Sequence, residues 1–211
     1  MEKNENLQQG QWSQNVIVAD ADYIDQVAFN LIVNFERMLG RRIPPADLPR
    51  WAECVALDGG LRANGEEQQQ TQVVLIHEKQ SAQMHNFQPG KYDTELHEQA
   101  FRGPLGEFAV NAYPVEDVTT KDGFLLDVLS TMLSVPDVKR IMVIPNAERE
   151  GVYDRVRHIL RQVPEGKTVT VFAMQPLPGG PFRQEILGYS LLQALGIRAE
   201  EIGCNYSALS A

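Results

Sequence analysis

Short apolar runs alternate along this chain with longer segments in which apolar residues recur every three or four positions. Each short run is rich in Val, Ile or Leu, and such runs are typical of parallel strands buried on both faces. The longer segments have the spacing of helices that bury one face. The predicted strands are residues 16–19, 71–77, 107–113, 140–144 and 168–173, and the predicted helices are residues 23–39, 47–57, 120–133, 148–163 and 182–195.

This alternation predicts a single doubly wound, three-layer α/β domain, because parallel strands need crossover connections and these are nearly always right-handed. We expect a five-stranded, mainly parallel, Rossmann-like sheet in an order like 3-2-1-4-5, with the strand at residues 16–19 in its centre. Residues 79–106 have the least clear pattern, and the one element predicted there is a helix near residues 92–101.

Length and composition fit one domain with short ends. The chain has 211 residues, of which 43% are hydrophobic, and this is enough for one core. We expect the α/β domain to cover residues 15–197, with a disordered or frayed lead-in at residues 1–14 and a C-terminal tail at residues 198–211. The lead-in has no apolar segment of the kind found in signal peptides, so none is predicted.

The remaining bulk properties indicate a cytoplasmic protein. No apolar run approaches the ~20 residues of a membrane span, so no membrane association is expected. Cys54 and Cys204 are far apart and have no metal-ligand spacing, which predicts two reduced thiols. The net charge of -9 disfavours nucleic acid as a partner, because such binding depends on a basic surface.

The strongest chemical signal is a pair of carboxylates, Asp20 and Asp22, directly after the first predicted strand. In open α/β sheets, ligands bind outside the carboxyl ends of the strands. A carboxylate at the end of a buried strand costs several kcal/mol unless it is paired or bound to a cation, which favours a functional role for Asp20. The alternative for Asp22 is an N-cap, with Asp25 three residues later as in a shortened capping box.

Three further groups complete a possible metal site. Asp127 lies on the helix before the fourth predicted strand, and Asn146 and Glu148 follow that strand. The order of these groups along the chain is similar to that in PIN- and NYN-type nucleases, and this resemblance implies that they bind Mg²⁺ or Mn²⁺ together with Asp20 and Asp22, since these cations prefer oxygen ligands. The alternative interpretation is structural: Asp122 would pair with Thr119 in a capping box, and Asp127 would lie on a solvated helix face.

The order of these groups resembles the PIN- and NYN-type nucleases, in which acids from the first strand, a later helix and the fourth strand bind a divalent cation. This resemblance implies a metal-dependent phosphodiesterase with Asp20 and Asp127 as catalytic residues. Such nucleases usually have an acid in a Ser-Gly-Asp type turn, where this chain has Pro145-Asn146-Ala147-Glu148. The resemblance therefore implies a divergent or degenerate site.

Two other resemblances imply less about function. The spacing of Asp20-Ala21-Asp22 resembles the nucleophile and acid of haloacid dehalogenase-like phosphatases, a weaker alternative because His77-Glu78 stands where that family has Ser or Thr. Over nearly its full length the chain resembles an uncharacterised bacterial family of unknown function, and this implies no activity. A Rossmann nucleotide site is excluded, because no glycine fingerprint follows the first strand.

The predicted helix at residues 182–195 is apolar on almost all sides, which predicts a second covering layer beyond the sheet. We expect this cover to be the same helix of a second subunit, in a homodimer. The alternative is the tail of the same chain, residues 202–209. A non-catalytic homodimeric interaction module is therefore the second candidate function. Ahead of this helix, Pro178-Gly179-Gly180-Pro181 is typical of a turn, and its backbone N–H groups are also able to face an anion.

Overall fold

The structure, a computed structural model, describes residues 2–3, 12–63 and 69–202. Most of the predicted lead-in, the tail beyond residue 202 and Cys204 lie outside this part of the chain. The strands are β1 (Glu2–Lys3), β2 (Asn15–Asp20), β3 (Ala46–Asp47), β4 (Gln70–His77), β5 (Phe87–Gln88), β6 (Gln99–Gly103), β7 (Gly106–Pro114), β8 (Arg140–Ile144), β9 (Thr168–Ala173) and β10 (Arg183–Ile186). The helices are α1 (Ala21–Leu39), α2 (Leu48–Asp58), α3 (Lys121–Ser134), α4 (Val152–Ile159) and α5 (Leu187–Ala194).

The main sheet is mostly parallel, which confirms the predicted α/β class. Its strand order is β1-β6-β7-β4-β2-β8-β9-β10. The strands β7, β4, β2, β8, β9 and β10 run parallel to one another. β2 lies inside the sheet, where Ile17 pairs with Val73 of β4 on one side and with Met142 of β8 on the other. The sheet is wider than the predicted five strands, because β1, β6 and β10 extend its edges.

The predicted helix near residues 92–101 is wrong over most of its length. A short π-helix covers Tyr92–Leu96, and the chain then forms β6, which pairs antiparallel with β7. Phe101 lies opposite Phe108 in this pair, and their rings stack with centroids 4.8 Å apart. The pairing of β6 with β7 therefore decides the structure of this segment. The pattern of apolar residues within the segment itself does not reveal that pairing.

The predicted helix at residues 182–195 is correct only in its second half. Residues Arg183–Ile186 form β10, which pairs with the otherwise free edge of β9, and α5 follows from Leu187. Its buried residues include Leu187 and Leu191, and it packs on α2 as well as on the sheet. The second apolar side of this helix is thus covered by a helix of the same chain.

Side chains alternate along β2 between two hydrophobic clusters, one on each face of the sheet. Ile17 and Ala19 belong to the cluster that includes residues of α1, α2 and α5, while Val16 and Val18 belong to the cluster that includes residues of α3 and α4. All four are fully buried. None of the described helices is long and apolar enough to cross a membrane.

The turn between β6 and β7 gives a test of the fold. Gly106 has φ +114°, and a Cβ there would lie 2.1 Å from the backbone oxygen of Gln69. We expect Gly106→Ala to lower the free energy of unfolding by about 2–3 kcal/mol, because both the backbone angle and this contact are unfavourable. Urea unfolding measures this loss.

Gly166→Ala is the matched control. Gly166 also has a positive φ, +80°, but no heavy atom of the described residues lies within 4 Å of a Cβ there. Only the backbone cost of about 1 kcal/mol is expected. Equal losses for the two variants would contradict the close packing of Gly106 against Gln69.

Candidate functional site

Four elements meet at the carboxyl edge of the sheet next to β2. β2 ends at Asp20, α1 carries Asp22 in its first turn, Glu78 directly follows β4, and α3 begins with Lys121. These four side chains form what we call the edge cluster. The carboxyl ends of parallel strands lie on the same edge of a sheet, and this arrangement brings groups together that are far apart in the sequence.

Lys121 is the centre of the edge cluster. Its Nζ atom lies 2.9 Å from Oδ1 of Asp20, 2.8 Å from Oδ2 of Asp22 and 3.8 Å from Oε1 of Glu78. The side chain is only 5% exposed. Burial by itself would lower the pKa of Lys121, but the charges and hydrogen bonds of Asp20 and Asp22 raise this pKa above its ordinary value. The ammonium group is therefore charged at neutral pH.

Asp20 is the N-cap of α1, and Asp22 lies in the first turn. Oδ1 of Asp20 accepts a hydrogen bond from the backbone N–H of Tyr23 at 2.9 Å. The other oxygen, Oδ2, is buried and has no hydrogen-bond partner among the described residues. Burial raises the pKa of Asp20, and the charge of Lys121 only partly opposes this effect. The capping role considered for Asp22 thus belongs to Asp20.

Asp22 links α1 to the end of β4. Its Oδ2 atom accepts hydrogen bonds from Lys121 and from the backbone N–H of Glu78, both at 2.8 Å. Burial by itself would raise the pKa of Asp22, but these two hydrogen bonds lower it below its ordinary value. Asp22 is therefore an ionised link between three elements.

A second ion pair lies beside the edge cluster. The buried Asp122 accepts a hydrogen bond from Arg149 at 2.9 Å, and Arg155 lies 3.9 Å away. The pKa of Arg149 is raised, chiefly by Asp122 and in part by the charges of Asp20 and Glu78. Asp122 is thus a partner of Arg149.

Thr120 is the N-cap of α3, since its hydroxyl accepts a hydrogen bond from Gly123 at 3.1 Å. The capping box considered for Thr119 and Asp122 is therefore not the arrangement at the start of this helix. Asp122 faces the arginines of the loop before α4 and of α4 itself, and its charge is compensated there.

His77 lies next to the edge cluster, at the end of β4. Its ring stacks on Tyr92 with centroids 3.7 Å apart and an interplanar angle of 8°. Nδ1 lies 2.9 Å from the backbone oxygen of Glu78, so Nδ1 carries the proton, because a carbonyl can only accept. Burial lowers the pKa of His77, and the ring is neutral at pH 7.

The other predicted metal ligands, Asp127, Asn146 and Glu148, come from α3 and from the segment after β8. Asp127 is exposed on α3, six residues after Lys121, which corresponds to about 9 Å along the helix axis. Asn146 is half-buried and Glu148 is exposed, and both follow β8. Burial, together with the nearby charge of Glu148, raises the pKa of Tyr23, so Glu148 lies close to the start of α1.

The residues present do not fit a divalent cation between Asp20 and Asp22. Lys121 already lies at hydrogen-bond distance from both carboxylates. Among the residues that the structure describes, no group of three or more His, Cys, Asp or Glu side chains has an arrangement that could hold a metal ion. The ammonium group supplies the positive charge that a metal ion would supply.

Sequence reasoning missed Lys121 and Arg149. One signal was present: Lys121 is the first residue of α3, where the helix dipole disfavours a positive charge. A lysine at this position indicates a nearby carboxylate. The identity of that carboxylate depends on contacts across 99 positions of sequence, from Asp22 to Lys121.

The sequence matches, over residues 9–202, a family described as "Family of unknown function (DUF6621)". This confirms the predicted resemblance to an uncharacterised family, and it gives no support to the resemblance to PIN- and NYN-type nucleases. No curated protein and no solved structure matches the chain.

The raised pKa of Asp20 predicts a dependence of stability on pH. In the window from pH 3.8 up to the pKa in the folded state, the folded protein binds more protons than the unfolded chain, so its stability falls as pH rises. Asn cannot titrate, and it remains a good N-cap. We expect the free energy of unfolding of Asp20→Asn, relative to the wild type, to increase between about pH 4 and pH 7.

Urea unfolding at several pH values measures this difference. The pKa of Asp22 is lowered on folding, so the stabilising contribution of Asp22 is lost only as the pH falls below 3.8. Asp22 therefore does not interfere with the measurement between about pH 4 and pH 7. Asp127→Asn is the control, since it removes a carboxylate from the exposed face of α3. A difference for Asp20→Asn that stays constant with pH would show that Asp20 keeps its ordinary pKa on folding.

Proposed function

The chain belongs to this family of unknown function, so we propose its role from the geometry of the structure. In this proposal the protein is a non-catalytic interaction module, and the edge cluster holds its sheet and helices in place. The observation that carries this proposal is the position of the Lys121 ammonium group. It lies between Asp20 and Asp22, where a metal-dependent enzyme would bind its cation. The carboxylates that favoured catalysis are thus compensated within the chain.

The burial of Asp20 supports the same conclusion. A catalytic base or nucleophile has to come within about 3 Å of the substrate. Asp20 is only 1% exposed, and one of its oxygens is already shared by Lys121 and the N-terminus of α1. Its role in the proposed module is to cap α1 and to fix α3 against β2.

The competing function is a divergent PIN- or NYN-like phosphodiesterase, and the weaker one is a haloacid dehalogenase-like phosphatase. Both need a divalent cation beside Asp20. The ammonium group of Lys121 would have to leave before such a cation could enter. Removing this group by mutation therefore separates the two interpretations.

We expect Mn²⁺ and Mg²⁺ to leave the melting temperature of the wild type unchanged, since Lys121 competes for the same oxygens. Lys121→Met leaves Asp20 and Asp22 uncompensated, so this variant is expected to be less stable by about 3–5 kcal/mol and to bind the cation. Mn²⁺ at a hundred times its Kd should then raise the melting temperature by about 5 °C or more. Thermal denaturation with and without the metal measures both effects.

Lys79→Met is the matched control, because Lys79 forms an exposed pair with Asp117 at 2.8 Å. It should show neither the loss of stability nor the response to metal. A wild-type protein that Mn²⁺ stabilises, with the effect lost in Asp20→Asn, would overturn the non-catalytic proposal in favour of the phosphodiesterase.

The predicted homodimer through residues 182–195 is part of the proposed module. One observation supports it: Tyr189 is 67% exposed on α5. The larger apolar residues of this helix face α2 and the core, so an interface on α5 has to centre on Tyr189. An isologous dimer places this residue against the same helix of the partner.

We expect Tyr189→Glu to convert the dimer to a monomer, because two new carboxylates would face each other across the two-fold axis. Light scattering at high protein concentration measures the mass, which is 23.7 kDa for one chain. Val118→Glu is the control, since Val118 is 94% exposed in the loop before α3. A dimer that survives Tyr189→Glu would place the interface elsewhere, and a wild-type monomer would exclude it.

A further inference from the structure

A cleft lies beside α4, in a part of the molecule that the proposed module does not use. Since β10 runs parallel to β9, the connection at residues 174–182 has to return from the carboxyl end of β9 to the amino end of β10. This brings the loop at residues 178–182 next to the last turn of α4. The two elements line an open cleft of about 550 Å³, within the range of roughly 300–1,000 Å³ for small-ligand sites.

Side-chain contacts hold the loop wall of this cleft in place. The side-chain amide of Gln184 donates to the backbone oxygen of Leu177 at 2.9 Å and accepts from its N–H at 3.2 Å. The hydroxyl of Tyr153 donates to the backbone oxygen of Pro178. A Cβ on Gly180 would lie 2.3 Å from the ring of Phe182, so glycine lets this ring pack against the loop. These contacts fix the loop against β10 and α4.

The cleft is basic, although the chain as a whole carries a net charge of -9. Arg157, His158 and Arg161 line it, and Asp154 is the one carboxylate among those lining residues that the structure describes. Arg157 lies 3.8 Å from Asp154 and donates a long hydrogen bond of 3.5 Å to the backbone oxygen of Gly179. The positive charge in the cleft thus exceeds its negative charge.

The position of α4 explains only part of this charge. The C-terminus of a helix favours cations, which accounts for Arg157 and His158 in the last turn. Arg161 lies beyond the end of α4 at Ile159, on the same cleft. Arg157 is half-buried and Arg161 is exposed, and both line the same cleft, so their charges are available to an anionic ligand.

We propose that this cleft binds a small molecule that carries a phosphate monoester. Guanidinium groups match phosphate oxygens in charge and geometry, and two of them line the cleft, Arg157 in the last turn of α4 and Arg161 just beyond its end. Phe182 and Pro181 supply an apolar surface for the organic part of the ligand on the opposite wall. This binding site is separate from the edge cluster and does not depend on the role proposed for it.

Isothermal titration calorimetry at pH 7 and low salt tests the proposal with three probes: AMP, ribose 5-phosphate and adenosine. We expect both phosphorylated probes to bind and adenosine to bind at least tenfold more weakly than AMP. If AMP also binds more tightly than ribose 5-phosphate, the ligand is a nucleotide; equal affinities indicate a sugar phosphate.

Arg157→Gln/Arg161→Gln removes both guanidinium groups and should weaken AMP binding at least tenfold. Arg155→Gln is the matched control: it lies on the same helix but points towards Asp122, 3.9 Å away, and should keep the wild-type affinity. Circular dichroism confirms that each variant is folded. Because both arginines are at least partly exposed, the double variant should retain its fold.

Three results would overturn the proposal. The first is that neither phosphorylated probe binds at millimolar concentration. The second is that adenosine binds as tightly as AMP, since the phosphate would then contribute nothing. The third is that Arg155→Gln weakens AMP binding as much as the double variant does, which would place the ligand outside this cleft.

Discussion

The arrangement of this protein around its central strand depends on one buried ammonium group. Taking a charged group out of water costs several kcal/mol unless other charges and hydrogen bonds compensate it. Lys121 is compensated by Asp20, Asp22 and Glu78, which come from the end of β2, the start of α1 and the end of β4. A displacement of any of these elements would leave a buried charge without its partner, so this edge of the sheet has one favourable arrangement.

The same compensation restricts the chemistry of the edge. Carboxylates at the carboxyl ends of parallel strands are a common basis for metal-dependent hydrolysis, and they need an unfilled position between them. Here Lys121 fills this position, and hydrogen bonds from Tyr23 and Glu78 engage Asp20 and Asp22 further. The Lys121 ammonium group and a divalent cation would compete for Oδ1 of Asp20 and Oδ2 of Asp22.

The distribution of charge separates two regions of the molecule. Acidic groups dominate the carboxyl edge, where Asp122 and Glu78 surround the cations Lys121 and Arg149. The arginines at the end of α4 and just beyond it face a cleft in which Asp154 is the one carboxylate within the described part of the chain. The cleft lies between the end of α4 and residues 179–182 of the loop that precedes β10.

The sequence by itself determined the α/β class and the position of the acidic pair at the end of a buried strand. Strands buried on both faces have to be almost entirely apolar, so β2, β4, β8 and β9 are visible as runs of Val, Ile and Leu, and Asp20 stands out at the end of one run. The outer strands β6 and β10 are only partly buried and carry polar residues, so they had no comparable signal.

Only the tertiary structure decided what the acidic pair contacts. Periodicity reports which face of an element is buried, but it contains no information on which charged side chain lies opposite another. Lys121 reaches Asp22 across 99 positions of sequence because α3 crosses from β7 to β8 and packs beside β2. The difference between a metal site and an internal ion pair is a matter of a few ångströms, and that distance is set by the packing of the helix on the sheet.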